Sequence, residues 1–294
     1  SSEIIFSEIK EIKTAEIFTN FFIKPTEKNI VVDIPLTPDF ATCESCETEF
    51  FDEKNPRYFY PFTTCTQCGP RYSITKKFPF ERENTAIEVF KMCPNCLAEY
   101  KNPDDVRFHS QTNSCPNCGI QIWLKDNLGN EFKGSNKEIF EKLAEELSKG
   151  KIIALKNTAG YLLMCDATNS EAVSGLRKRK RRPTKPFAVL FSGISIMQEY
   201  LEISELQIQH FKSSESPIIV TKIKNKKDLA IDGISPNMNT IGAMFPYSGT
   251  LKLISKTFGK PLIATSGNFH GSPICSTTEE AEQILGKIAD YFLH

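Results

Sequence analysis

Eight of the ten cysteines fall in four CxxC pairs: Cys43 and Cys46, Cys65 and Cys68, Cys93 and Cys96, Cys115 and Cys118. The intervals between successive pairs are 18, 24 and 18 residues, so a shift of 50 positions lays the first four cysteines on the last four. The same shift pairs Glu49 with Glu99, Arg57 with Arg107, Tyr58 with Phe108 and Gly69 with Gly119. A small unit has been duplicated. A CxxC turn aims two sulfurs at one point and a second turn closes the shell, which suits a tetrahedral zinc. Disulfides belong to small secreted scaffolds, and a redox CxxC is normally single and near a βαβ unit. An iron–sulfur cluster is the remaining competitor. The expected arrangement is two structural four-cysteine zinc sites, each formed within its own repeat, since a duplicated unit had to fold around its own metal. Sulfur then fills every position, leaving none open for a catalytic water. His109 is expected at the surface or in a hydrogen bond, and Cys165 and Cys275 as small buried apolar residues.

The remainder of the chain is read from pattern. A length of 294 residues leaves room for about two domains. Lys plus Arg and Asp plus Glu both number 36, so no global electrostatic case exists for nucleic acid or a membrane surface. No apolar run approaches a spanning length, and the first residues carry acids where a secretory signal is basic and then apolar, so a soluble, cytoplasmic protein without membrane partners is expected. Residues 1–37 read as an ordered tail with short strand-like stretches, too short for a core of its own. The cysteine region spans 38–124, and KDNLGNEFKGSN, roughly 125–136, reads as a linker or hairpin.

From 137 to 294 strands alternate with helices. Ser135 and Glu138 form a capping box, Ile139, Leu143 and Leu147 share one helix face, and Gly150 stops the helix. Strands are expected at KIIAL (151–155), FAVLF (187–191), PIIV (217–220), PLIAT (261–265) and the final YFL. Helices are expected after Asp166, around 194–201 and 204–211, over 247–258 and at 278–285. The fold class is therefore α/β, a twisted mixed sheet with packed helices, preceded by the small duplicated four-cysteine domain.

Two segments carry chemistry. RKRKRRPTK at 177–185 has seven basic residues in nine. A solvated helix end, an RNA-contacting patch and a nucleotide clamp all fit it. TSGN at 265–268 ends a buried strand, where a ligand-binding turn and a plain turn are both open readings.

Taken together, the cysteine array, YPFTTCTQCGPRYSI at 60–74, RFH at 107–109, MCDA at 164–167, KRRPTKPFAVL at 180–190, NTIGAMFPY at 239–247 and TSGNFHGSPI at 265–274 resemble the HypF family of hydrogenase maturation carbamoyltransferases. The resemblance covers residue 38 to the end and matches the middle of those proteins. It implies a zinc-finger region followed by a YrdC-like nucleotide-binding domain, with residues 1–37 as a remnant of an acylphosphatase-like domain and the transfer domain absent. The implied reaction is ATP-dependent adenylation of carbamate to carbamoyl adenylate, part of carbamoyl transfer to HypE in cyanide-ligand synthesis for nickel–iron hydrogenase. Carbamoyl phosphate supplies the carbamate, and magnesium arrives with ATP. Carried over by position, Lys180, Arg182, Ser266 and Asn268 are the expected catalytic residues. Lys156, Asn157, Lys180, Arg182, Lys185, Thr265, Ser266 and Asn268 are the expected nucleotide-binding set. The chain departs from the family pattern at Asn157, Ala159 and Leu162, where glycines and a histidine are usual, and at SGTLKLI, where Lys252 falls in the region of two missing histidines. The alternatives are a threonylcarbamoyl adenylate synthase for transfer-RNA modification and a non-catalytic RNA-binding zinc module with 177–185 as its contact surface.

Overall fold

The computed structural model describes residues 7–11, 37–226 and 228–294. Most of the expected tail, residues 1–37, lies outside them.

Each cysteine repeat opens with a short helix capped by its own first cysteine. Cys43 precedes α1 (Glu44–Phe51), and Cys93 precedes α2 (Pro94–Lys101), whose Pro94 sits at the first helical position, where a missing N–H costs nothing. The chain then turns through a residue of positive φ at equivalent positions, Phe59 at 53° and His109 at 55°. The two copies grip each other reciprocally. Arg57 pairs with Glu99 and donates to Ser114 O at 3.0 Å, while Arg107 pairs with Glu49 and donates to Thr64 O at 3.1 Å. Residue i of one copy meets j of the other and j meets i, the logic of a two-fold dimer carried out within one chain.

The second part is one mixed sheet. Its strands are β1 (Leu124–Asp126), β2 (Glu131–Phe132), β3 (Ile153–Asn157), β4 (Gly160–Asp166), β5 (Ala188–Leu190), β6 (Leu201–Glu202), β7 (Ile219–Ile223), β8 (Thr240–Met244), β9 (Leu262–Ser266) and β10 (Tyr291–Leu293). Their spatial order is β2-β1-β10-β3-β4-β9-β5-β8-β7-β6, with β10/β3 and β5/β8 parallel and the other pairs antiparallel. Helices α3 (Asn136–Ser148), α4 (Ser170–Lys180), α5 (Ile194–Tyr200), α6 (Glu205–Phe211), α7 (Ile231–Ile234), α8 (Gly249–Phe258) and α9 (Thr278–Leu285) complete it. Strand residues alternate between two cores. Ala154, Leu163, Cys165 and Ile263 join Val173, Leu176 and Leu285 on one face, while Ile153, Leu155, Met164, Leu262 and Ala264 join Leu143, Leu147 and Leu251 on the other. Both faces are covered over the centre of the sheet, which is why its strands read as apolar runs instead of alternating ones.

The expected capping box is present at α3, Ser135 Oγ accepting from Glu138 N and Glu138 Oε2 accepting from Ser135 N, and α9 has the expected bounds. The linker-or-hairpin segment is the β1–β2 hairpin, and it is the edge of the sheet, because β1 pairs with β10. The strand expected at 217–220 is β7, displaced toward the carboxyl end. Two central strands escaped the pattern reading. GYLLMCD, β4, is a run without period-2 alternation that follows β3 through a turn at Gly160, φ +116°. TIGAM, β8, carries a central glycine and is as short as a turn-bounded loop.

The first finger is seated on this sheet. Phe50 is fully buried in the same cluster as Phe140, Leu251 and Leu253, and Glu47 forms an ion pair with Lys252 of α8. At Gly249, the first residue of α8, a Cβ would lie 2.1 Å from Pro61 O, so the approach there requires glycine. Among the described residues no helix is long and apolar enough to cross a membrane.

Candidate functional site

The metal centres assemble within each repeat. In the first, Cys43 and Cys65 sulfurs are 3.7 Å apart, Cys65 and Cys68 3.8 Å, and Cys68 and Cys46 3.7 Å. The second repeats these separations at Cys93–Cys115, Cys115–Cys118 and Cys118–Cys96: 3.7, 3.8 and 3.7 Å. Four sulfurs about 2.3 Å from a zinc form a tetrahedron with edges of about 3.8 Å. The donor sets therefore fit zinc and bear out pairing within repeats over pairing across them. His109 is exposed, packed against the Tyr100 and Phe108 rings, and is no ligand. Cys165 and Cys275 are fully buried, as expected.

The second site forms where α4 ends beside the carboxyl end of β9. The helix stops at Lys180 because Arg181 adopts the left-handed conformation, φ 54°, and Pro183 follows. That reversal turns Lys180 and Arg182, two positions apart, toward the same strand end. Lys180 Nζ donates to Ser266 O at 2.6 Å, Asn268 O at 2.5 Å and Asn268 Oδ1 at 2.6 Å. Ser266 Oγ donates to Asn268 Oδ1 at 2.8 Å, and Asn268 Nδ2 donates to Ser272 O at 2.5 Å. Arg182 Nη1 donates to Thr265 Oγ1 at 3.3 Å, its Nε to Lys185 O at 3.1 Å and its Nη2 to Pro186 O. Gly267 is required here, since a Cβ would fall 2.6 Å from the Tyr161 carbonyl oxygen that its own N–H bonds at 2.6 Å.

Of the expected residues, Lys180, Ser266 and Asn268 form one hydrogen-bonded group, and Arg182 bonds Thr265 beside it. Burial, then the charges of Arg182 and Lys185, pushes the Lys180 ammonium down to about 8. Lys185 borders the group, its carbonyl accepting from Arg182 while its side chain is exposed. Lys156 and Asn157 stand apart, at the end of β3. Lys156 Nζ lies 5.7 Å from the centre of the Tyr161 ring, and the Asn157 amide nitrogen is buried with no hydrogen-bond partner, near the Tyr247 phenol.

A cavity of about 450 Å³ opens from this group along β4, β9, β5, β8 and β7. Arg182, Thr265 and Ser266 line its polar end, and Phe187, Ile218 and Met244 are among its apolar walls. Sequence reasoning did not single out these apolar liners. The quoted segment NTIGAMFPY does contain five of the lining residues, Thr240, Ile241, Gly242, Met244 and Tyr247, and was the available signal. Leu162, where the family pattern has histidine, also lines the cavity, whereas Lys252 is engaged with Glu47 of the finger.

The basic run 177–185 divides: Lys178, Arg179, Arg181 and Lys185 are exposed, while Arg177, Lys180 and Arg182 turn inward. Lys180 is buried, Arg177 and Arg182 bond backbone carbonyls, and Arg179 pairs with Asp290.

A mixed sheet with a cationic helix end against an SxN turn, behind two four-cysteine fingers, defines the class. The chain belongs to the Sua5–YciO–YrdC family, described as "Telomere recombination", whose model matches residues 145–294. The "HypF finger" model matches residues 42–75 and 92–125, and together these correspond to the finger and YrdC-like region of the carbamoyltransferase HypF. HypF of Rhodobacter capsulatus is 39% identical over 258 residues, 88% of this chain and 34% of that protein. A crystal structure of full-length HypF in the phosphate- and nucleotide-bound form superposes with a TM-score of 0.83 at 38% identity, covering 88% of this chain and 34% of that one. A threonylcarbamoyl-AMP synthase of Vibrio parahaemolyticus is 29% identical over 150 residues, 50% of this chain and 81% of that protein. The chain spans about a third of the length of the HypF proteins it matches.

Proposed function

We propose that this chain binds ATP with its magnesium in the cavity beside Lys180 and Asn268 and adenylates carbamate derived from carbamoyl phosphate, giving carbamoyl adenylate and pyrophosphate. One observation carries the reading: cationic groups from the end of α4 and hydrogen-bonding groups from the end of β9 converge on one end of a cavity. Attack of a carbamate oxygen on the α-phosphorus needs the triphosphate held, its growing charge neutralised and the nucleophile aligned, with no protein nucleophile. Lys180, Arg182 and Lys185 supply fixed positive charge. Ser266, Asn268 and Thr265 orient phosphate or carbamate. Lys156 and Asn157 stand off at the end of β3 and are assigned to the nucleotide set by the family resemblance alone. Two structural zincs hold the fingers. In the longer relatives the product passes onward, and HypE is the acceptor we assign, within cyanide-ligand synthesis for nickel–iron hydrogenase.

The similarity of 150 residues to a threonylcarbamoyl-AMP synthase favours a second reading, with threonine as the carbamate carrier. The fingers matched by the HypF model favour the first. ATP–pyrophosphate exchange distinguishes them. Exchange supported by carbamoyl phosphate is the expected result, exchange dependent on bicarbonate plus threonine selects the second reading, and exchange with neither defeats both. Tight, steeply salt-dependent RNA binding without ATP turnover would replace them with an RNA-binding role.

A further inference from the structure

Arg177 lies one turn before Lys180 on α4 and directs its whole guanidinium at backbone carbonyls. One edge of the fork reads α7: Nε donates to Gly233 O and Nη2 to Ile234 O at 3.1 Å. The other edge reads the segment after α4, Nη1 donating to Arg182 O at 2.8 Å, Lys185 O at 3.2 Å and Pro183 O at 3.3 Å. Its Cζ lies 4.5 Å from the centre of the Phe187 ring, and that of Arg182 lies 4.9 Å from the same ring. No carboxylate is among its partners. The anchor on α7 is itself tight, since a Cβ on Gly233 would meet Val173 Cγ1 at 2.6 Å.

We infer that Arg177 is a positioning residue: it ties residues 182–185 to α7, so that Arg182 is held against Thr265 at the polar end of the cavity before any phosphate arrives. The inference rests on the reading of this cavity as a nucleotide site and adds to it a residue outside the cavity wall. Five carbonyls on two elements call for a planar fork of five N–H donors. A lysine offers three donors from one point and cannot span them. Bulk charge is therefore not the contribution of Arg177. A segment with few hydrogen bonds of its own is held in one conformation, which removes the ordering cost from ligand binding.

The test is calorimetric titration of the full chain with ATP and, separately, with adenosine, using the wild type, Arg177→Lys and, as a second variant, Arg177→Gln. Wild type is expected to bind one ATP. In both variants stoichiometry should hold, ATP affinity should fall by about tenfold or more, and adenosine affinity should be unchanged, because only the phosphate grip is displaced. Unchanged ATP affinity in both variants overturns the inference. Equal losses for ATP and adenosine, or a fall in stoichiometry at constant affinity, show a merely structural role and overturn it as well. A wild-type chain that binds no ATP overturns the reading of the site itself, and the inference falls with it.

Discussion

Lys180 shows what the site asks of a single side chain. Its ammonium is buried and held by three oxygens with no carboxylate among them, and burial beside Arg182 and Lys185 pushes its titration down to about 8. Because the folded value lies below the ordinary lysine range, the folded chain releases this proton first. The cost of burying the charge is fully present below about pH 8 and is relieved as pH rises from there toward the unfolded lysine range near 10.4. ATP binding has the opposite dependence, since the grip needs the charged form. Affinity should be flat below pH 7 and fall as pH rises through 8, a dependence that titrations at several pH values would detect and that Lys180→Arg should flatten. Lys180→Ala and Asn268→Ala should each abolish ATP binding with zinc content unchanged, measured by titration and metal analysis. Undiminished affinity in both would remove the site assignment. At this scale the residues' own chemistry left the basic run and TSGN open, and only the resemblance to the HypF family singled out Lys180, Arg182, Ser266 and Asn268. Arg177 was not legible as a separate device, since in sequence it is one more basic residue in a run of them.

Helices and fingers obey local rules that can be checked one at a time. α3 starts where Ser135 and Glu138 cap it and buries Ile139, Leu143 and Leu147 on one face. Ser135→Ala should cost about 1 kcal/mol, seen as a lower midpoint in denaturant with unchanged slope. The fingers depend on a reciprocal contact. Arg57 and Arg107 are nearly inaccessible, with side chains 6% and 5% exposed, and each closes on a glutamate of the other copy. Arg107→Met would leave Glu49 without its cation, and Glu49 already has one buried oxygen with no partner. A loss of about 2–3 kcal/mol is expected, between the values for exposed and fully buried pairs, and amide exchange should locate it in both fingers. The 50-residue repeat exposed the equivalence of these residues. It could not show that they bond across copies, because a repeat states which positions correspond and not which of them touch.

In the whole molecule, the first finger packs against α8 and shares its core cluster. Phe50 sits in the core under α8, Glu47 holds Lys252, and Gly249 lies against Pro61 two residues after Tyr247, which lines the cavity. Roughly 80 residues with so small a core are expected to hold together through their metals. Chelation should therefore lower the unfolding temperature of the sheet as well as that of the fingers, and weaken ATP binding. A sheet transition unmoved by chelator, followed by calorimetry, would show the two parts to be independent. The amino-acid order by itself determined the cysteine framework, the caps, the buried strands with clear bounds and the identity of the motif residues, because those properties reside in spacing and side-chain chemistry over a few tens of residues. Only the tertiary structure decided that β4 and β8 lie at the centre of the sheet, that the hairpin after the fingers is its edge, that Arg177, Lys180 and Arg182 of the basic run turn inward, and that Lys180 meets Asn268. Those facts depend on strand order and on which face each helix covers, contacts between segments far apart in the chain, 88 residues for Lys180 and Asn268 and more for β1 and β10, that no local pattern encodes.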